Sequence, residues 1–161
     1  MSIYKEIRTS NWVVTLPADW SSISEQARGF QFESRDGSKG LYIATHIVAP
    51  ERPGSVEELA EWFVAAELAT LQEMRDYTWR VAGRSLAVTP GSCVALLDSV
   101  ASAQQYRVMA KILSRPGQVV RASFHDYHCR CYDDSCAYFA SILASLSFVE
   151  PASTAPRRVL H

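Results

Sequence analysis

The sequence predicts an α+β protein: an antiparallel β-sheet of about six to seven strands with two main helices, at about 56–74 and 134–147, packed on it. Two observations carry this. Short runs rich in β-branched and aromatic residues recur between turn signals, as hairpins and meanders require. Two longer segments repeat their apolar residues with helical period and place them on one side. The resulting order is strand, hairpin, long helix, antiparallel meander, helix. Two amphipathic helices are expected to cover one face of the sheet.

Residues 1–10 read as a lead-in arm. Trp12, Val14 and Leu16 then alternate with Val13 and Thr15 as in a strand, until Pro17 stops the ladder. FQFES, the turn RDGSKG and LYIATHIV read as a hairpin. The clearest element follows. In GSVEELAEWFVAAELATLQEM, Ser55 and Glu58 stand three apart, ahead of a stripe at Leu59, Trp62, Phe63 and Ala66. That spacing predicts a capping box, in which the Ser55 hydroxyl accepts from the Glu58 amide while the Glu58 carboxylate reaches back.

YTWRVAG, SLAV, SCVALLDSV, QYRVMAKILS and QVVRASFHDY read as the meander, broken at Pro90-Gly91 and Arg115-Pro116-Gly117. The closing helix is expected to start near Asp133 to Ser135, all good N-cap types, with Cys136, Phe139, Ile142, Leu143 and Leu146 as its stripe. Residues 11–149 then form one domain and 150–161 a tail.

Composition narrows the function. A chain of 161 residues, 48% hydrophobic and 20% charged, is large enough for a single core. A net charge of −1 argues against a general nucleic-acid binder. The N-terminus lacks the apolar stretch of a signal peptide, and YFASILASL is too short to span a bilayer, so a cytoplasmic protein without membrane insertion is expected. Four cysteines do not make a disulfide scaffold, and no cofactor is expected.

The hairpin around Pro116-Gly117 decides which side chains share a face. A three-residue loop pairs Ile112 with Val120, Ala110 with Ala122 and Val108 with Phe124. Lys111 then falls opposite Arg121, and Arg107 opposite His125, on the other face. A four-residue loop at Ala101 to Gln104 places Asp98 beside Arg107 as a cross-strand ion pair and leaves Lys111 and Arg121 without an obvious partner. The reverse face so drawn carries Arg107, Met109, Lys111, Arg121 and His125, together with Leu113 and Tyr42. One reading is an ordinary solvated sheet face. The other is a surface that binds a polypeptide, with Met109 packing and the cations pairing carboxylates. On the second reading, Lys111→Glu with Arg121→Glu leaves folding intact and abolishes binding.

FHDYHCRCYDDSC, residues 124–136, holds the densest chemistry. A metal or Cys/His-dependent site would recruit His125, His128, Cys129 and Cys131. The C-x-C spacing and the gap to Cys136 are not those of the familiar zinc pairs. A cysteine nucleophile also needs a base within reach, which sequence adjacency does not supply. Cys136 fits the apolar stripe of the closing helix. Asp133 and Asp134 fit a helix start better than a catalytic acid pair. His46 and His161 stand in no motif.

The run Trp12-x-Val14-x-Leu16-Pro17-x-x-Trp20, the hairpin, the capped helix, the meander and the closing YFASILASLSF together resemble the PsbP-like small domains over roughly residues 11–148. The resemblance implies a central antiparallel sheet with helices packed on it. It also implies a binding or assembly role. One bacterial branch of such proteins comprises adaptor chaperones for type VI secretion effectors, and others of similar build are immunity proteins. The expected function is therefore a non-catalytic protein-binding module of the bacterial cytoplasm, an adaptor, chaperone or immunity factor whose partner is an effector or toxin segment. The competing expectation is a metal-binding or Cys/His-dependent enzyme centred on 125–131. A homodimer through a sheet edge or the mixed face is a further expectation.

Overall fold

The computed structural model describes residues 3–26, 29–49 and 54–150. It has ten strands: β1 Tyr4–Arg8, β2 Trp12–Pro17, β3 Ser21–Gln26, β4 Gly29–Glu33, β5 Lys39–Ile47, β6 Arg80–Thr89, β7 Ser92–Ala101, β8 Tyr106–Arg115, β9 Gln118–Asp126 and β10 Ser147–Phe148. Helix α1 spans Val56–Glu73 and α2 spans Tyr132–Ser145. All pairings are antiparallel. Seven strands form the main sheet in the order β3-β4-β5-β9-β8-β7-β6, and β1-β2-β10 form a second, small one. Part of the expected lead-in arm, Tyr4–Arg8, is thus the edge of a sheet. The expected 150–161 tail lies almost wholly outside the described residues, as does His161.

The capping box is present: Ser55 Oγ accepts from the Glu58 amide at 3.1 Å, and Glu58 Oε2 accepts from the Ser55 amide at 3.4 Å. The period of α1 is as expected but its stripe is rotated. Ala60, Phe63, Val64, Glu67 and Leu71 are buried, whereas Trp62 is 52% exposed. Helix α2 begins earlier than expected. Cys131 takes the N-cap position without a side-chain bond, and Asp133 and Asp134 lie in the first turn. There the carboxylates meet the positive end of the helix dipole.

The two helices do not share a face. Ala60, Phe63 and Val64 of α1 pack on Cys93, Ala95, Leu97, Ala110, Ile112 and Val119. Phe139 and Ile142 of α2, with Trp12, Val14 and Leu16 of the small sheet, pack on the opposite side against Phe32, Leu41, Met109, Leu113 and Phe124. The central strands are therefore covered on both faces, and nine of the ten residues of β8 are buried. This corrects the expectation of one open face.

The register is corrected with it. β8 and β9 are joined by the two-residue turn Pro116-Gly117, with Gly117 at φ +78° and Arg115 paired to Gln118. Met109 lies opposite Phe124, Lys111 opposite Ala122 and Ile112 opposite Arg121. Relative to the three-residue loop this is a shift of one residue, which moves the side chains of β8 to the other face relative to those of β9. Between β7 and β8 the connecting loop is Ser102–Gln105, so Leu97 meets Ala110 and Ala95 meets Ile112.

Candidate functional site

The five side chains expected to form one binding face divide between two. Arg107, Met109 and Lys111 point toward α2 and are 3%, 7% and 9% exposed. Arg107 makes the expected ion pair, with Nε and Nη2 donating to the two carboxylate oxygens of Asp98 at 2.9 and 3.0 Å. Its Nη1 donates to Ser135 Oγ at 3.0 Å, and the Tyr132 hydroxyl donates to Asp98 Oδ2 at 2.6 Å. The cation thus anchors the first turn of α2 to the sheet. Lys111 Nζ donates to the carbonyls of Leu143 and Leu146 at the other end of the same helix. Burial pushes its pKa down. These three residues hold α2 in place.

Arg121 and His125 lie on the α1 side. Arg121 Nε donates to Glu67 Oε1, and that carboxylate is 4% exposed on the inner face of α1. His125 has a partner for each ring nitrogen: the Tyr106 hydroxyl lies 2.5 Å from Nδ1, and Ser123 Oγ lies 2.9 Å from Nε2. Burial, reinforced by the Arg121 charge, lowers the His125 pKa from 6.5 to about 4. Burial and neighbouring tyrosines hold the Tyr106 and Tyr127 hydroxyls above their ordinary range. The imidazole and both phenols are therefore neutral near pH 7.

Around this group opens a cleft of about 630 Å³ between the C-terminal half of α1 and strands β4, β5 and β9. Leu71 and Met74 line it from the helix side, Tyr42 and Tyr127 from the sheet side, and the Glu67–Arg121 pair lies among them. The aromatic rings form a continuous wall: Tyr42 to His125 at 5.1 Å, His125 to Tyr127 at 5.6 Å and Tyr127 to Tyr106 at 5.3 Å between centroids. Gly40 makes room for Tyr127, since a Cβ there would stand 3.1 Å from the phenol oxygen. Tyr42 is 39% exposed and marks the mouth.

The 125–131 segment is not drawn together. His125 faces α1, His128 is exposed, Cys129 is buried and Cys131 is exposed at the start of α2. Burial raises the Cys129 pKa. Among the described residues, no group of three or more His, Cys, Asp or Glu is placed to hold a metal ion. Cys136 is half-buried beside the stripe rather than in the core.

Sequence reasoning found Tyr42, Arg121 and His125. It missed Tyr106, Ser123 and Glu67. A signal for Glu67 was present, because an acid on the helical period Ala60, Phe63/Val64, Glu67, Leu71 has to meet a cation inside.

These features define a PsbP-like α+β fold: an antiparallel sheet with a helix on each face and a small sheet completing one layer. No family model and no curated protein matches the chain. Among solved structures it is similar to the cyanobacterial PsbP (CyanoP) of Synechocystis sp. PCC 6803, with a TM-score of 0.68 and 10% identity over 92% of this chain and 94% of that one. It is also similar to the Ran-binding protein Mog1p of Saccharomyces cerevisiae, with a TM-score of 0.58 and 9% identity over 91% and 96%. At these identities the likeness shows the fold.

Proposed function

We propose that the chain is a non-catalytic protein-binding module, and that the cleft beside Tyr42 and Tyr127 receives an apolar, aromatic-bearing segment of its partner. The carrying observation is that the cleft is aromatic and the polar groups of its floor already have partners. Glu67 is paired with Arg121, His125 with Tyr106 and Ser123, and the Tyr42 hydroxyl accepts from Gln31 at 3.0 Å. An imidazole with both nitrogens engaged and a pKa of about 4 is a poor general base at neutral pH. Aromatic walls with polar tips suit segment recognition. Mog1p, described as Ran-binding, has a similar fold, which supports a protein partner.

The roles this fits are those of a cytoplasmic adaptor, chaperone or immunity factor for a secreted effector or toxin. Among the described residues no helix is long and apolar enough to cross a membrane. Arg121 and His125 remain in the proposed binding site as its floor, whereas Arg107, Met109 and Lys111 are assigned to holding α2.

The test places a photo-crosslinking phenylalanine derivative at Tyr42 and, as a control, at Tyr138 on the other side of the main sheet. A discrete polypeptide joined only through position 42 is expected, with synthetic peptides from it binding the purified protein and losing that binding in Tyr42→Arg. Equal crosslinking at both positions, or peptide binding unchanged in Tyr42→Arg, overturns the proposal.

A further inference from the structure

We infer that two copies of this chain associate edge to edge through β6. Among the described residues, strand β6 ends the seven-stranded sheet and pairs only with β7, so one side of a ten-residue backbone has no strand partner there. Nine of its ten residues are exposed, and none belongs to the three apolar clusters. Such an edge is a template for another strand unless charge, proline or a covering element blunts it. Here the only charges are Arg80 and Arg84, no proline lies within the strand, and Leu86 and Val88 are 37% and 52% exposed. The bulge at Val81/Gly83 leaves Arg84–Thr89 as the regular edge.

The register can be argued from charge. An antiparallel pair of identical edges requires a two-fold axis normal to the sheet, so each face continues into the same face of the partner. With Ala87 on the axis, Leu86 of one copy lies beside Val88 of the other, and Arg84 lies beside Pro90 at the hairpin end. Arg84, Leu86 and Val88 pair with Leu97, Ala95 and Cys93, which face α1. The Cys93 thiol feels the carboxylates of Glu57 and Glu61, so those acids stand over the hairpin end of the strand. Arg84 of each copy is therefore carried toward the acidic first turns of the other copy's α1. Registers that set Arg84 opposite Arg84 place like charges together and are disfavoured. The self-complementary edge selects a second copy as occupant, and the result is a continuous fourteen-stranded sheet.

Sedimentation velocity of the full chain from micromolar to millimolar concentration tests this. A reversible monomer–dimer equilibrium that weakens with salt is expected. Leu86→Lys/Val88→Lys, at exposed positions and with unchanged melting, is expected to sediment as monomer throughout. Arg84→Glu loses the dimer, and Arg84→Glu with Glu61→Arg regains it. A wild-type monomer at every concentration, open-ended oligomers, or a dimer indifferent to Leu86→Lys/Val88→Lys overturns the inference.

Discussion

Lys111, from the centre of the sheet, terminates α2: its ammonium donates to Leu143 O at 2.6 Å and Leu146 O at 2.8 Å. The last turn of α2 contains no basic residue of its own. A cation at this end satisfies carbonyls that lack helical partners and meets the negative end of the dipole. The contact also explains how a lysine is tolerated at a position 9% exposed.

The first prediction follows directly. Lys111→Met keeps much of the volume but strands both carbonyls, and is expected to cost about 1–3 kcal/mol in urea unfolding. Lys111→Glu sets a buried carboxylate against carbonyl oxygens and is expected to prevent folding. This reverses the sequence-based expectation that Lys111→Glu with Arg121→Glu leaves folding intact. A Lys111→Glu protein with native melting would show that the contact is dispensable.

Glu67 and Arg121 give a second prediction. Glu67 is 4% exposed in its side chain, while Arg121 is 36% exposed. Removing the arginine abandons a buried carboxylate, so Arg121→Met is expected to lose about 3 kcal/mol. Glu67→Leu/Arg121→Met together are expected to recover most of that loss, because no uncompensated charge remains. A double-mutant cycle measures the coupling, and additive losses would contradict a buried pair.

A third prediction concerns the start of α1. Ser55→Ala removes the acceptor for the Glu58 amide and is expected to cost about 1 kcal/mol. Ser55→Gly is expected to cost only a few tenths, since glycine is itself a fair N-cap. Equal losses for the two substitutions would mean that the hydroxyl contributes little.

The contrast between Ser55 and Lys111 shows what was legible. Capping, hairpin turns and strand runs depend on neighbours in sequence, so α1, β7, β8 and β9 are drawn to within about a residue, whereas YTWRVAG and SLAV, read as two segments, contribute to the one strand β6. The face assignment could not. Alternation in YRVMAKILSR reads as one apolar and one polar side, the rule for a sheet wet on one face, whereas β8 is buried on both. With either parity able to find a core, alternation lost its power to set register, and the two-residue turn decided it. Lys111 resembled a surface cation because its partners, two backbone carbonyls 32 and 35 residues away, leave no mark in side-chain pattern. The cleft eluded the sequence for a related reason: Tyr106, Glu67 and His125 come from three separate elements.

His125 supplies the pH prediction. Its pKa falls from 6.5 in the open chain to about 4 in the fold, with burial as the main cause and the Arg121 charge as the second. Between those values the unfolded chain binds more protons than the folded one. Stability therefore rises with pH through this window; the contribution is complete above about 6.5 and is lost as pH falls toward 4. The shift is equivalent to about 3 kcal/mol at most. The groups facing the ring are Tyr106, Ser123, Tyr42, Tyr127 and Arg121, of which only Arg121 is charged in this range. His125→Asn removes the titration while keeping a side chain that can hydrogen-bond. Urea unfolding of both proteins at a series of pH values from 7 to 4 is expected to show the wild type losing more stability than the variant, most steeply below pH 6. Carboxylates titrate in both proteins, so the difference between the two curves isolates the imidazole. Parallel curves would mean that the ring gains its proton as easily in the folded cleft as in water.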